Sequence, residues 1–288
     1  MSSSDASRNS AETGDLLNWS LLSDASVMER CRTSLRDDGA MILRNVATQD
    51  SLNRLKAEVQ SCPYNDSKQH YTPWQDQGDY VNHPPSHPRN FKMHSSASFV
   101  GRKSLEQTGE KLAMSMYADD RLVHFLSKVA DTHLYRSTDD NGSVYSYRVN
   151  ETHSPPWHFD EAPYTAILYL QNSEGGGGEF EYVPWSRPTL SKDDKQGHQV
   201  VESILMKNKR EGIQQIEPEP GTLLLFSGAH SFHRVAPTTG TTPRLGLVFT
   251  FGLKKGFTNS DSVKKSNEWD PVDATCLVQG DAKGETSQ

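Results

Sequence analysis

Two chemically active side chains stand two residues apart in the segment Trp157-His158-Phe159-Asp160. In an extended segment alternate side chains point to the same face, so His158 and Asp160 would lie side by side. A neutral imidazole and a carboxylate are both ligands for a divalent metal ion. The pair therefore predicts two-thirds of a metal site, whose third ligand must come from elsewhere in the chain.

The segment from Gly221 to Val235 offers two candidates for that third ligand, His230 and His233. A strand, a tight turn at Gly228 and an extended continuation favour His233, because His230 falls in the turn itself. His230 remains the alternative. Two histidines and one carboxylate on one face of a metal leave three positions open. This is the ligand set of non-haem Fe(II) oxygenases, which bind a bidentate co-substrate and dioxygen.

Arg244 stands at the start of a strongly apolar run, Leu245 to Phe251. A guanidinium that is buried at the start of such a strand needs an anionic partner. A carboxylate meets this need by pairing with the guanidinium through two parallel hydrogen bonds. The distal carboxylate of 2-oxoglutarate would supply such a partner.

The combination of His158-x-Asp160, His233 and Arg244 resembles the Fe(II)/2-oxoglutarate-dependent oxygenase superfamily, whose fold is the double-stranded β-helix, a cupin-like jelly roll. The resemblance extends over about residues 25–252. It implies that the two histidines and Asp160 bind Fe(II), that Arg244 anchors 2-oxoglutarate, and that dioxygen is the oxidant. It also implies oxidation of an unactivated C–H bond with release of succinate and CO2.

The sequence around these residues resembles one branch of the superfamily. Gly-Gly-Glu179-Phe-Glu-Tyr and His-Ser-Phe-His233-Arg-Val are similar to the free-amino-acid hydroxylases and radical halogenases. Halogenases have Gly or Ala at the position of Asp160, which opens a coordination position for chloride. The carboxylate here implies hydroxylation, desaturation or oxidative cyclisation of an amino acid or its derivative. Kainoid synthases, which close a pyrrolidine ring on an N-prenylated glutamate, are a related group of similar length.

Other residues are expected near the site from their positions in the chain. Thr250 shares a strand face with Arg244, and Glu161 directly follows Asp160, where in the resembling branch an acid can meet a substrate amine. We expect co-substrate contacts from Thr250 and Asn150, and substrate contacts from Glu161, Tyr147, Arg89 and His94. Each has a plainer alternative: packing inside the barrel for the strand residues, and solvent exposure for Glu161 and the loop residues.

Composition narrows the class of protein. The chain has 288 residues, a formal net charge of −7 and three cysteines, none in a Cys-x-x-Cys pair. The acidic balance argues against nucleic acids and anionic membranes as partners, and the cysteine spacing argues against a disulfide framework or a thiolate zinc site. No apolar run is long enough for a transmembrane helix, and a signal peptide is not recognisable. We therefore expect a cytoplasmic protein with a small-molecule substrate.

Three other functions remain compatible with parts of this pattern. A cupin-type metal enzyme that does not use 2-oxoglutarate would need the metal ligands but not Arg244. A protein hydroxylase or demethylase would apply the same chemistry to a larger substrate. A jelly-roll binding protein with an inactive site has no need to keep the three ligands and the arginine together. The sequence leaves the oligomeric state open.

The apolar pattern predicts a mainly β protein with flanking helices. We expect one domain over 15–256, with a helical part at 15–142 and a jelly-roll core at 143–256, between polar tails over 1–14 and 257–288. A polar stretch at 63–102 can act as a lid, and another at 186–212 is expected between strands. The periodicity predicts helices at 24–36, after Thr48 or Asp50, and at about 103–117 and 120–133, and strands at 40–43, 144–149, 164–170, 179–183, 222–226 and 245–251.

Overall fold

The structure is a computed structural model that describes residues 15–66, 70–74, 83–191, 194–217 and 219–268. The predicted tail over 1–14 and the end of the predicted C-terminal tail, 269–288, lie outside the described residues. The helices are α1 (Trp19–Leu22), α2 (Ala25–Asp38), α3 (Gln49–Ser61), α4 (Arg102–Leu105), α5 (Leu112–Ala118), α6 (Asp120–Val129), α7 (Lys195–Val201) and α8 (Asp261–Ser266). The strands are β1 (Ala40–Leu43), β2 (Asn65–Asp66), β3 (His70–Tyr71), β4 (Met93–His94), β5 (Ser98–Val100), β6 (Tyr135–Arg136), β7 (Val144–Val149), β8 (Tyr164–Gln171), β9 (Phe180–Val183), β10 (Gln214–Ile216), β11 (Leu223–Phe226), β12 (Phe232–Val235) and β13 (Arg244–Gly252).

Two antiparallel sheets face each other around an aromatic core. The main sheet has the order β1-β11-β8-β13-β7-β5-β2, and the smaller sheet has the order β10-β9-β12. Alternate residues of β8 separate the two faces of the main sheet. Ile167 and Tyr169 pack toward the smaller sheet, whereas Leu168 and Leu170 pack under the helices. This arrangement confirms the expected jelly roll with a helical layer outside it.

Helix α2 shows how the sequence sets the ends of an element in the helical layer. Asp24 accepts hydrogen bonds from the amides of Ser26 and Val27 and so caps the start of the helix. Gly39 ends it with a left-handed backbone at φ 74°. The helix begins one residue after and ends two residues beyond the predicted 24–36, and β1 follows to pair with β11.

The helix predicted at 103–117 is interrupted. Helices α4 and α5 are separate, and Lys111 between them has a left-handed backbone at φ 52°. The buried Glu58 side chain on α3 accepts hydrogen bonds from the amides of Leu112 (2.6 Å) and Ala113 (2.8 Å) at the start of α5. A carboxylate from another helix therefore satisfies the first turn of α5, and a local pattern cannot predict it.

The polar segments have more structure than their composition suggests. Residues 186–212 contain α7, which continues into a π-helical turn at Glu202–Met206. Residues 257–268, which the sequence places in a polar tail, follow β13 and contain α8, whose Val263 is 5% exposed. Within the described part of the chain, no helix is both long and apolar enough to cross a bilayer.

Candidate metal centre and its cavity

The two predicted histidine ligands lie opposite each other in a single bridge between backbone segments. The amide of His158 donates to the carbonyl of His233 (2.9 Å), and the amide of His233 donates to the carbonyl of His158 (3.0 Å). Their imidazole centroids are 4.3 Å apart. This reciprocal pair extends β12 to the segment that precedes β8, so two distant parts of the sequence place their histidines together.

Backbone carbonyls fix the orientation of both imidazole rings. His158 Nδ1 lies 2.7 Å from Pro156 O, and His233 Nδ1 lies 2.9 Å from Ser231 O. Because a carbonyl only accepts, each Nδ1 carries the proton and each Nε2 keeps a lone pair. The two Nε2 atoms lie 3.2 and 3.5 Å from Asp160 Oδ1. The three atoms that a metal would need therefore converge.

Asp160 is held in position by hydrogen bonds at both its backbone and its carboxylate. Its amide donates to the carbonyl of Gly228 (3.0 Å), and its Oδ2 accepts a hydrogen bond from Thr165 Oγ1 (2.7 Å). A Cβ atom at position 228 would lie 2.1 Å from Asp160 Oδ2. Glycine is therefore required at position 228 because the aspartate occupies the space of a side chain.

The ionisation of these residues suits a cation. Burial raises the pKa of Asp160, but the neighbouring His233 and His158 outweigh it and hold this pKa well below its usual range. Burial lowers the pKa of His233, and the nearby His158 lowers it further, against the opposing effect of Asp160. An ionised carboxylate beside a neutral imidazole is the state that binds a divalent metal ion.

These residues fit an Fe(II) site. One ligand atom from each of His158, Asp160 and His233 lies within 4.8 Å of the others, and no other such group of three is found among the described residues. Two nitrogens and one carboxylate oxygen form the donor set of a facial triad. The alternative ligand, His230, directs its Nδ1 to the carbonyl of Arg187 at 2.7 Å and lies outside the group.

Arg244 is buried without a counter-ion. Its side chain is 0% exposed, and none of its three guanidinium nitrogens has a hydrogen-bond partner among the described residues. The guanidinium carbon lies 4.9 Å from the ring centroid of Tyr147 and 5.0 Å from that of Tyr169. The hydroxyls of both tyrosines are also buried and unpartnered in this part of the chain. The guanidinium and the two phenol hydroxyls are all hydrogen-bond donors, so together they can form a binding site for an anion.

Glycines make room for this anion-binding site. A Cβ atom at Gly178 would lie 2.9 Å from Arg244 Cδ, and one at Gly246 would lie 2.3 Å from the hydroxyl of Tyr147. Burial raises the pKa of Tyr169 to about 12, so its hydroxyl stays protonated and can donate. The pKa of Tyr147 is also raised by burial, against the opposing effect of Arg244.

A cavity opens between the two sheets and contains the metal ligands. Its wall residues come from the jelly roll, from the 63–102 stretch and from residues 257–268, called here the C-terminal segment. The lining residues that bear on the site are Ser95, Phe99, Gly142, Tyr145, Tyr147, His158, Asp160, Glu161, Phe180, Phe226, His233, Arg234, Thr250, Asn259, Val263 and Asn267. The 63–102 stretch therefore contributes two wall residues.

The structure places some of the other predicted site residues in the cavity. Thr250 and Glu161 line it. The hydroxyl of Thr250 donates to the carbonyl of Gly142 at 2.8 Å, and Glu161 Oε2 accepts from the amide of Ser260 at 2.7 Å. Tyr147, expected to contact substrate, also lines the cavity, and its ring centroid lies 4.9 Å from the guanidinium carbon of Arg244.

Four predicted site residues are not among those that line the cavity: the fully buried Arg244, Arg89, His94 and Asn150. Arg89 is 2% exposed, and its guanidinium stacks over Trp74 at 4.7 Å. His94 is an exposed residue of the short strand β4. The carbonyl of Asn150 accepts hydrogen bonds from the turn after β7 and from Thr238. Their positions come from packing and pairing that a chain position alone does not predict.

Sequence reasoning missed Tyr169, the role of Gly228, and the two asparagines of the C-terminal segment. Tyr169 stands in an apolar strand pattern, where an aromatic residue ordinarily indicates packing. The sequence predicts only a turn at Gly228, with no contact to Asp160. Asn259 and Asn267 lie in a polar region whose composition gives no sign that it enters a cavity.

The fold and the site together define a 2-oxoglutarate–Fe(II) oxygenase: a double-stranded β-helix with a facial triad and a buried arginine. A family comparison gives the narrower assignment. The family model Halogenase D matches residues 23–270, and the chain belongs to that family. No curated protein matches the chain in sequence.

Several solved structures share the fold of this chain. The carbocyclase SnoK from nogalamycin biosynthesis is 11% identical, with a TM-score of 0.56 over 86% of this chain and 94% of that chain. HygX from Streptomyces hygroscopicus, solved with nickel, 2-oxoglutarate and hygromycin B bound, is 14% identical, with a TM-score of 0.55 over 80% and 88%. A 2OG-Fe(II) oxygenase family oxidoreductase from Burkholderia pseudomallei is 15% identical, with a TM-score of 0.51 over 79% and 91%. At these identities the likeness is one of fold.

Proposed function

We propose that this chain oxidises an unactivated C–H bond of a small polar substrate, an amino acid or an N-substituted amino acid, in an Fe(II)- and 2-oxoglutarate-dependent reaction. Two observations carry the proposal together: the unpaired, fully buried guanidinium of Arg244 and a complete set of metal ligands. A metal site alone does not need that cation. A co-substrate with a free carboxylate does.

His158, Asp160 and His233 would hold the iron, with both imidazoles already oriented by backbone carbonyls. Iron with 2-oxoglutarate and dioxygen supplies the oxidant that removes hydrogen from carbon, with release of succinate and CO2. The role of the protein is to hold the reacting groups in place and to exclude water. Phe180 and Phe226 pack on His233, with centroids 5.5 and 4.8 Å from its ring, and make that side of the site apolar.

The distal carboxylate of 2-oxoglutarate would bind Arg244 and the hydroxyls of Tyr147 and Tyr169. The guanidinium contributes two parallel donors, and each phenol contributes one more. Without an anion, three buried polar groups lack partners, which is costly in an interior of low dielectric. This assigns Tyr147 to the co-substrate rather than to the substrate.

Asp160 decides between the reactions of the family. Its carboxylate fills the position that halogenases leave for chloride, and the hydrogen bond from Thr165 and the space beside Gly228 hold it there. We therefore propose hydroxylation, desaturation or oxidative cyclisation, which includes ring closure of the kainoid type. In the last two outcomes the substrate loses two hydrogens, and in the first it gains one oxygen.

The test begins with metal and co-substrate under anaerobic conditions. Fe(II) with 2-oxoglutarate is expected to give a weak visible charge-transfer band with the wild-type protein, and no band with His158→Ala or Asp160→Ala. The matched control is His230→Ala, because His230 lies outside the ligand group. An undiminished band in the first two variants would remove these residues from the metal site.

A second experiment identifies the reaction. Amino acids and N-alkyl amino acids are screened in air for stimulated succinate release in the presence of chloride, and the product mass is measured. We expect a gain of one oxygen or a loss of two hydrogens, and no chlorinated product. Chlorination would overturn the role given to Asp160.

A further inference from the structure

Three histidine rings join two segments that lie far apart in the sequence. His83 and His87 stand at and before the start of a short 3-10 helix, Pro88–Asn90, and His198 belongs to α7. The imidazoles of His83 and His87 stack with their centroids 4.0 Å apart, and the imidazole of His198 meets that of His87 edge-on at 4.7 Å. These three residues, called here the histidine row, therefore form a contact between the turn 83–90 and α7.

The histidine row continues into the aromatic packing behind the metal ligands. His198 meets the buried ring of Trp74 edge-on at 5.1 Å, and Trp74 packs on Phe159 at 5.6 Å. Phe159 stands between His158 and Asp160 in the sequence, and its side chain is fully buried. The contact between the turn and α7 is thus only two rings away from the segment that carries two of the metal ligands.

The turn 83–90 also leads into the wall of the cavity. The short strand β4 follows it, and after β4 come Ser95 and Phe99, which both line the cavity. A change in the docking of the turn on α7 would therefore reach this wall through a few residues of continuous chain.

The surroundings of the histidine row disfavour a positive charge. The Nε2 atom of His198 is buried and has no hydrogen-bond partner among the described residues. Several ionisable groups of the described chain lie around His198: His83, His87 and Arg89 from the turn, Asp194 from the start of α7, and Arg187, whose side chain lies beside Gly197 of α7. Of these groups only Asp194 is an anion. A proton added to the row would therefore meet two arginines and one carboxylate in a largely dry contact.

The ionisation of two of the histidines follows from this environment. Burial, together with His87 and Arg89, lowers the pKa of His198 to about 4, against the opposing effect of Asp194. Burial lowers the pKa of His87 as well, and His83 and Arg89 add to this effect. A histidine that is released to water has a pKa near 6.5. The released state therefore binds more protons than the docked state, so docking is strongest above about pH 6.5 and weakens as the pH falls toward 4.

We propose that the histidine row is a pH-sensitive contact, which holds the turn 83–90 against α7 at neutral pH and releases it in acid. Neutral imidazoles stack on one another and on Trp74, whereas imidazolium ions repel one another and the nearby Arg89. Release loosens the chain that leads to Ser95 and Phe99, and so changes one wall of the cavity. The contact regulates the cavity from outside it and needs no metal, co-substrate or substrate, so it is independent of the proposed function.

Hydrogen–deuterium exchange of the full chain tests the proposal. Protection factors, corrected for the intrinsic exchange rate at each pH, are measured at pH 7.5 and 5.5. The reporters are the amide of Asn90, which donates to the carbonyl of His87 at 2.9 Å, and the amide of His198, which donates to that of Asp194 at 3.1 Å. We expect their protection to fall by about three- to tenfold at pH 5.5, because His198 is only half buried. Protection of β7 should not change.

Variants of the row make the test specific. His198→Phe keeps a ring against Trp74 and His87 but cannot bind a proton, so most of the fall in protection should disappear. The matched control is His124→Phe, at an exposed position on α6, which should keep the fall of the wild-type chain. His87→Phe removes a second proton-binding ring at a half-buried position and should also reduce the fall. This variant keeps the test available if His198→Phe does not fold.

Three results would overturn the inference. The first is equal protection of the turn and α7 at the two pH values in the wild-type chain. The second is an undiminished fall in His198→Phe, or in His87→Phe if the former does not fold. The third is an equal loss of protection in β7, which would mean general acid unfolding rather than release of the turn.

Discussion

The metal end of the cavity and its far wall are built in different ways. At the metal end, the ligands are fixed by backbone pairing between strand segments, as the reciprocal bonds of His158 and His233 illustrate. The far wall comes from residues 257–268, which lie outside the jelly roll and dock on it through a few hydrogen bonds. The difference teaches that the metal ligands depend on strand pairing within the jelly roll, whereas the far wall depends on the docking of a separate segment.

Arg244→Leu should give the largest effect at the metal end. We expect 2-oxoglutarate affinity to fall by about 100-fold or more, because a fully desolvated charge partner is lost. Metal affinity should be unchanged, and the free energy of unfolding without 2-oxoglutarate should not fall, because the removed charge had no partner. Anaerobic titration and urea denaturation measure these quantities, with the exposed Arg30→Leu as control. Unchanged co-substrate affinity would contradict the assignment.

Gly228→Ala should displace the carboxylate of Asp160, since a methyl group would occupy the position of Oδ2. Metal affinity is expected to fall by about 10–100-fold, the range for disturbed support of a ligand. Equilibrium dialysis with Fe(II) or Mn(II) measures it, and Gly109→Ala is the control. If the alanine variant bound metal as tightly as wild type, the close approach of Gly228 to Asp160 would not matter for the site.

Thr165→Val should have a smaller effect of the same kind. It keeps the side-chain shape but removes the 2.7 Å hydrogen bond to Asp160 Oδ2. We expect about a tenfold loss of metal affinity, because the carboxylate is then oriented by its backbone alone. Thr132→Val, at an exposed position after α6, should leave metal affinity unchanged. A tenfold loss in this control would mean that the assay does not report on the site.

Val263→Ala should have the smallest effect and should separate the two regions. Val263 packs α8 onto the cavity wall and is 5% exposed. Removing two methyl groups is expected to lower the free energy of unfolding by about 1–2 kcal/mol. Metal and 2-oxoglutarate affinities should stay at their wild-type values. A marked loss of metal affinity would show that the far wall supports the metal end, and the comparison would then fail.

The sequence predicted the jelly roll and its long strands because alternation of apolar residues follows directly from strand geometry. It predicted that His158 and His233 share one metal site, because each lies in an extended segment and a metal ion needs a third ligand beside His158 and Asp160. It could not predict the break before α5, which depends on Glu58 from another helix. Nor could it predict that Asn259 enters the cavity, because docking of a polar segment has no periodic signature.

The reciprocal hydrogen bonds between His158 and His233 have a consequence for metal selection. Because the backbone sets the ligand spacing, loading of the site needs no refolding and imposes little geometric penalty on ions of similar size. Affinity for divalent metals then follows their intrinsic order, in which Cu(II), Ni(II) and Zn(II) bind more tightly than Fe(II). Occupancy by iron therefore depends on which ions are available, and competing metals are expected to act as inhibitors.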